Sequence, residues 1–299
     1  MSQKSESLFY LIMIMAMTLW AGSWVSGKLL AATVHADLIL AWRFFFCVLG
    51  FLAMKPFIPY SLTVPRRIIP ALILAGGMMI LYNYCFILGT RYGLAHIGGV
   101  TVTTLNPVFT FLIAALIFRA PAQRIQILGI FLGVLGGLLL VRPWEHSLSE
   151  MARSGNLYFI GAAMSWAVLT HLAGRILKNG VGLFTYNLYL YLVSFLVCLL
   201  LILDNSPLNF AQYSTGFWLN IVYLSIFSSS IASTLYFFST KRIGTGRAAS
   251  FTLLVPAIAV VLSWLILGEV PLFMTLLGGA FALSAVYLIN HGRRRTVRS

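Results

Sequence analysis

The sequence predicts an all-α integral membrane protein whose ten transmembrane helices form two inverted five-helix repeats. Three observations carry that expectation. Of 299 residues, 60% are hydrophobic and only 9% are charged, against roughly a quarter charged in an ordinary soluble domain. The apolar residues gather into ten runs of membrane-spanning length. The two halves match at a nearly constant offset, while their basic residues change sides.

A helix needs about 20 predominantly apolar residues to cross the hydrocarbon core. Such runs fall at about 8–30, 36–54, 68–90, 95–118, 124–141, 155–176, 183–203, 216–239, 247–267 and 271–290. The connections are short and hold the breakers, among them Pro56, Pro59, Pro65, Pro121, Pro143 and Pro207. None is long or polar enough to be a soluble domain. The first run follows a Lys, as a secretory signal would, but it is too long for a signal's apolar region and reads as a retained span.

The net charge is +14. In a soluble chain that points to nucleic acid. Here the basic residues lie between apolar runs, so no nucleic-acid partner is expected and the lipid bilayer is. With the N-terminus in the cytoplasm, the inside set is Lys4; Lys55, Arg66 and Arg67; Arg119 and Arg124; Arg175 and Lys178; Lys241, Arg242 and Arg247; and Arg293, Arg294, Arg295 and Arg298. The outside set is Lys28, Arg91, Arg142 and Arg153, with Arg43 inside the second span. This imbalance predicts a multi-pass protein of the cell (inner) membrane with both termini cytoplasmic.

Arg91 matches Lys241, Arg119 matches Glu269, Pro121 matches Pro271 and Gly129 matches Gly279, all 150 residues apart. Pro107 matches Pro256 at 149, and Trp20 matches Trp166 at 146. The first repeat is expected to occupy 1–145 and the second 146–299. Five spans per repeat means that the second enters from the other side. The charges agree: the turn at Arg119 is basic and its partner at Glu269 is not. Inverted repeats permit alternating access, and paired interruptions of equivalent helices point to the central cavity. Pro107 and Pro256 are expected close to the middle of spans four and nine. Each would free the carbonyl four residues back, at Thr103 and Thr252. As a symmetric pair they read as a hinge or cavity wall; the plainer reading is packing kinks satisfied by neighbouring helices.

Trp-Ala-Gly-Ser-Trp-Val-Ser-Gly-Lys (20–28), Trp-Arg-Phe (42–44), Leu-Asn-Pro-Val-Phe (105–109) and Leu-Gly-Glu (267–269), in this order and spacing, resemble the EamA family of the drug/metabolite transporter superfamily over about 8–290. The resemblance implies a small-molecule transporter, often an exporter of amino acids or related metabolites, with helices 1–4 and 6–9 around the cavity and helices 5 and 10 outside. One departure is Phe-Arg-Ala-Pro (118–121), where the family usually has a Gly-Glu pair.

The expected cavity residues are Trp20, Ser23, Tyr82, Asn83, Thr103, Asn106, Trp166, Thr170, Tyr186, Tyr236 and Thr252. Most aromatics in membrane helices are packing or interface anchors. The amides carry more information, because an unpaired amide is costly in hydrocarbon. Lys28 and Arg43 are assigned to the outer mouth. Lys28 reads more readily as a snorkelling interfacial anchor, and Arg43 reads equally as the partner of Asp37. Gly129, Gly133 and Gly137 form a small-residue ridge for intramolecular packing or a dimer face.

The six acidic residues all fall at predicted ends or loops. Transport is therefore expected to follow the substrate gradient or to be coupled by groups other than a midplane carboxylate. Cys47, Cys85 and Cys198 lie singly within apolar runs, so neither a disulfide framework nor a metal site is expected. No nucleophile–base set, His-Glu-x-x-His or phosphate loop is present, which disfavours a membrane-embedded enzyme; no catalytic residue and no cofactor is expected. The expected cargo is a neutral or zwitterionic metabolite; the alternative is a nucleotide-sugar exchanger, for which only Arg43 offers a deep positive charge. The protein is expected as a monomer or homodimer.

Overall fold

The computed structural model describes residues 3–117, 123–145, 150, 154–202, 213–243, 251–252 and 254–296, and among these all regular structure is helical. The helices are α1 Gln3–Ala31, α2 Ala36–Met54, α3 Ile69–Tyr92, α4 Ala95–Leu116, α5 Arg124–Val141, α6 Gly155–Lys178, α7 Leu183–Ile202, α8, α9 Leu254–Leu267 and α10 Phe273–Thr296. Helix α8 runs in three consecutive pieces: Thr215–Val222, a π-helical segment Tyr223–Ile231, and Ala232–Ile243.

Seven of these helices are long and apolar enough to cross a membrane. The apolar parts of the other three are shorter, at Arg124–Leu140, Leu254–Leu267 and Phe273–Leu288. The turn 118–121 with Arg119 and Pro121, together with His146, Arg153, Asp204, Pro207, Gly244, Arg247 and Arg298, lies outside the described residues. So do the side chains of Lys4, Glu6, Lys241, Arg242, His291 and the Arg293–Arg295 run.

Local chemistry sets the ends. Helix α2 begins after an extended His35 and carries Asp37 in its first turn, where a carboxylate favours the helix dipole. Pro70 opens α3, where its missing N–H costs nothing. At α5 the Gln126 side chain accepts from the Gln123 amide, and at α8 the Ser214 hydroxyl accepts from the Phe217 amide. Gly268, at φ +69°, ends α9 in a left-handed turn that a side chain would strain.

Pro107 lies inside α4, and Pro256 lies in α9, whose continuous described residues begin at Leu254. The π-segment in α8 departs from an ordinary helix: Ser229 and Ser230 hydroxyls donate five residues back, to the Leu224 and Ser225 carbonyls.

Helix α1 packs on α8 and α9, α3 on α6 and α7, α4 on α6 and α9, α2 on α7 and α8, and α5 on α10. Gly136 and Gly278 let α5 and α10 cross closely; a Cβ on Gly136 would stand 2.8 Å from the Gly278 carbonyl oxygen. Gly133 packs against Val108 and Ala285 and Gly137 against Leu105, so these small residues serve packing within the chain. The core is built around fully buried Phe44, Phe51, Phe86 and Phe159.

Candidate functional site

Two tryptophan–tyrosine pairs join the halves of the chain. Trp20 on α1 lies 5.2 Å from Tyr236 on α8, and Trp166 on α6 lies 4.6 Å from Tyr82 on α3, measured between ring centroids. The Trp20 indole N–H also donates to the Ser228 carbonyl at 3.0 Å. That carbonyl belongs to the π-segment, a backbone irregularity that recurs at functional sites.

Tyr82 leans on Phe86, which also receives the edge of Trp24 at 4.8 Å. Arg43 sits over the same ring, with its guanidinium carbon 5.4 Å from the centroid. Gly27 makes this approach possible, since a Cβ there would stand 2.5 Å from the Phe86 ring. Sequence reasoning named Tyr82, Trp166 and Arg43 but missed Phe86 and Trp24, which join them. Their only signal was two more aromatics among many.

Asn83 is buried, 1% exposed; its amide N–H donates to the Met79 carbonyl and its Oδ1 has no partner. Tyr186 is also buried, with an unpartnered hydroxyl. The other predicted residues are bonded locally. Ser23 donates to the Trp20 carbonyl, Thr103 to the Gly99 carbonyl and Thr170 to the Trp166 carbonyl, with Thr170 exposed. Asn106 accepts from Thr110. Thr252 precedes α9, and its carbonyl accepts from the Val255 amide. Lys28 donates to the Gly93 carbonyl at 2.6 Å and so caps the end of α3. Asp37 makes no ion pair with Arg43; it lines a cleft with Leu40, Ile80, Tyr84, Cys198 and Leu201.

A second polar cluster links α9 to α4. The Glu269 carboxylate accepts from the Ala95 and His96 amides, at 3.1 and 3.2 Å, and lies 3.0 Å from His96 Nδ1. Two amides at a helix N-terminus form a natural anion seat. Burial pushes the Glu269 carboxyl up, but the His96 side chain and the two amides outweigh it and hold it below the ordinary value of 4.5.

The sequence model of the EamA-like transporter family matches residues 7–142 and again 153–291. The chain belongs to that family. Its relatives include the uncharacterized transporter YyaM of Bacillus subtilis, 25% identical over 65% of this chain and 64% of that protein; the chain thus spans just under two thirds of YyaM. A probable amino-acid metabolite efflux pump of Salmonella typhimurium is 27% identical over 80% of this chain and 84% of that one. One crystal structure shares the fold at 18% identity, with a TM-score of 0.67 over 97% of this chain and 99% of the other. EamA proteins are transporters rather than enzymes, and this one is a multi-pass membrane protein.

Proposed function

We propose that the protein exports amino acids or related neutral or zwitterionic metabolites across the inner membrane by alternating access. Ten spans form two inverted five-helix repeats, over 1–145 and 146–299, with both termini cytoplasmic. The double match of one family model supports the repeat. So do several packing contacts that map onto one another when helices 1–5 are exchanged with 6–10: α1 on α9 answers α6 on α4, and α1 on α8 answers α6 on α3.

The observation that carries the reading is the pair of tryptophan–tyrosine contacts. Trp20 and Trp166 stand 146 residues apart and Tyr82 and Tyr236 stand 154 apart, so the exchange that maps one tryptophan on the other also maps their partners. In this reading the two pairs face a shared cavity, with Asn83, Thr103, Asn106 and Tyr186 deeper in its walls. Ser23, Thr170 and Thr252 lie along the same path, Lys28 and Arg43 at its outer mouth. Pro107 and Pro256 supply the bending points. The name of the Salmonella relative supports the cargo class. The described acidic side chains all lie at helix ends or connections, which supports movement driven by the substrate gradient.

Purified full-length protein in liposomes, given a panel of amino acids and nucleotide sugars, tests this directly. Uptake of zwitterionic amino acids, without an imposed pH or sodium gradient, is expected. Uptake of nucleotide sugars alone would overturn the cargo, and a strict need for an ion gradient would overturn the energetics.

A further inference from the structure

Arg43 carries a positive charge that no described residue balances. It stands seven residues into α2, about 10 Å from the helix start at 1.5 Å per residue, and is 7% exposed. Its Nε and Nη1 are buried without a hydrogen-bond partner. Its guanidinium lies over the Phe86 ring, and a ring face returns only part of the solvation that a buried guanidinium gives up.

The described carboxylates lie elsewhere, Glu150 among them at an exposed position before α6. Glu269 is held at the start of α4, Glu145 pairs with Arg142, and Asp37 faces the cleft with Tyr84 and Cys198. Lys28 on α1 is committed to the Gly93 carbonyl, so it brings no second positive charge. Around the guanidinium, within electrostatic reach, stand Cys47, Tyr82 and Tyr191. Cys47 lies against the Ser225 carbonyl of the π-segment. The site is thus a single planar cation walled by aromatic rings and hydroxyls.

We propose that Arg43 anchors the carboxylate of the transported molecule, whose apolar part lies along Phe86, Tyr82 and Trp166. The substrate class is then a monocarboxylate with an apolar side chain. A guanidinium offers a fork of donors that a carboxylate fills with two parallel bonds, which a lysine does not reproduce. A phosphate dianion would leave one charge uncompensated here. This inference rests on the transport reading above and narrows its substrate.

The test is counterflow of labelled phenylalanine in liposomes carrying the full chain. The competitors are 3-phenylpropionate, which keeps the carboxylate and lacks the ammonium group, and phenylalaninamide, which lacks the carboxylate. The acid is expected to compete at least about tenfold better than the amide, as for loss of a charged hydrogen-bonded pair. Arg43→Gln is expected to erase that preference and Arg43→Lys to retain part of it. Equal competition by acid and amide in the unaltered protein would overturn the proposal, and so would a preference that survives Arg43→Gln. If phenylalanine is not carried at all, thermal stabilisation of the purified protein decides. Stabilisation by 3-phenylpropionate but not by 3-phenylpropanamide, lost in Arg43→Gln, upholds the anchor while the amino-acid cargo fails. Equal stabilisation by both, or none by either, overturns the anchor. Should Arg43→Gln fail to fold, the unaltered protein and Arg43→Lys still decide it.

Discussion

The Trp166 indole meets the Tyr82 ring at 4.6 Å with the planes tilted by 56°. The contact fastens α6, which opens the second half, to α3 of the first. Trp20 and Tyr236 repeat it from the other side at 5.2 Å and 41°. Four helices therefore meet through two similar aromatic contacts. Under the proposed alternating access such contacts can re-form as the halves rock, because aromatic pairs tolerate a range of tilts.

Trp166→Ala removes one of these contacts and the wall it provides. Transport is expected to fall roughly tenfold, the loss of about 1.4 kcal/mol, near the upper value for an aromatic pair. The protein is still expected to reach the membrane. Trp264→Ala on α9, at an exposed indole, is the control and should transport at the unaltered rate. Initial counterflow rates, normalised to protein in the liposomes, check this. Unaltered rates in Trp166→Ala would place the site elsewhere.

Glu269→Gln removes the charge seated on the start of α4. Hydrogen bonds to a charged group contribute about 1.5–3 kcal/mol, so a lower Tm is expected at pH 7. The unaltered protein should also show an acid dependence. Its Glu269 carboxyl titrates below 4.5 when folded, so this stabilisation is complete above about pH 4.5 and is lost as pH falls toward the folded value. Thermal unfolding between pH 7 and pH 3.5 should show a smaller decline in Glu269→Gln than in the unaltered protein. Equal declines would show that the carboxylate contributes nothing to stability.

Gly136→Ala places a methyl group against the Gly278 backbone, where α10 has no flexible side chain to move aside. Overpacking of this kind costs about 1–3 kcal/mol. Gly77→Ala meets nothing within 4 Å and should gain up to about 1 kcal/mol of helix stability. Opposite signs of the Tm change at these two positions are expected. Equal tolerance at both would mean that α5 and α10 do not cross at Gly136.

Much of the fold was legible because the membrane simplifies the code: apolar runs bounded by proline and basic residues become helices. Helix α2 matches at both ends, Ala36 and Met54. What escaped prediction depends on partners far apart in the chain. Glu269 and His96 are 173 residues apart, and the sequence signal was only a Leu-Gly-Glu turn whose glycine aims the carboxylate. Trp24 and Phe86 hold the site together, yet nothing local separates them from other core aromatics. Arg43 was recognised by its depth, with Asp37 as partner and the outer mouth weighed equally. Six residues turn a helix by 600°, so the two side chains stand about 120° apart around α2 and cannot share a face. The π-segment was hidden because its serine run reads as ordinary polar helix, and only the register of its hydroxyls reveals the extra residue.

The central claim is that the two halves enter the membrane from opposite sides. Ala120→Cys and Val270→Cys, 150 residues apart, test it most directly in a chain whose Cys47, Cys85 and Cys198 are replaced by Ser. Intact cells are exposed to a membrane-impermeant maleimide, then permeabilised. Labelling of position 270 on intact cells, and of position 120 only after permeabilisation, is the predicted result. Labelling of both positions from the same side would contradict it.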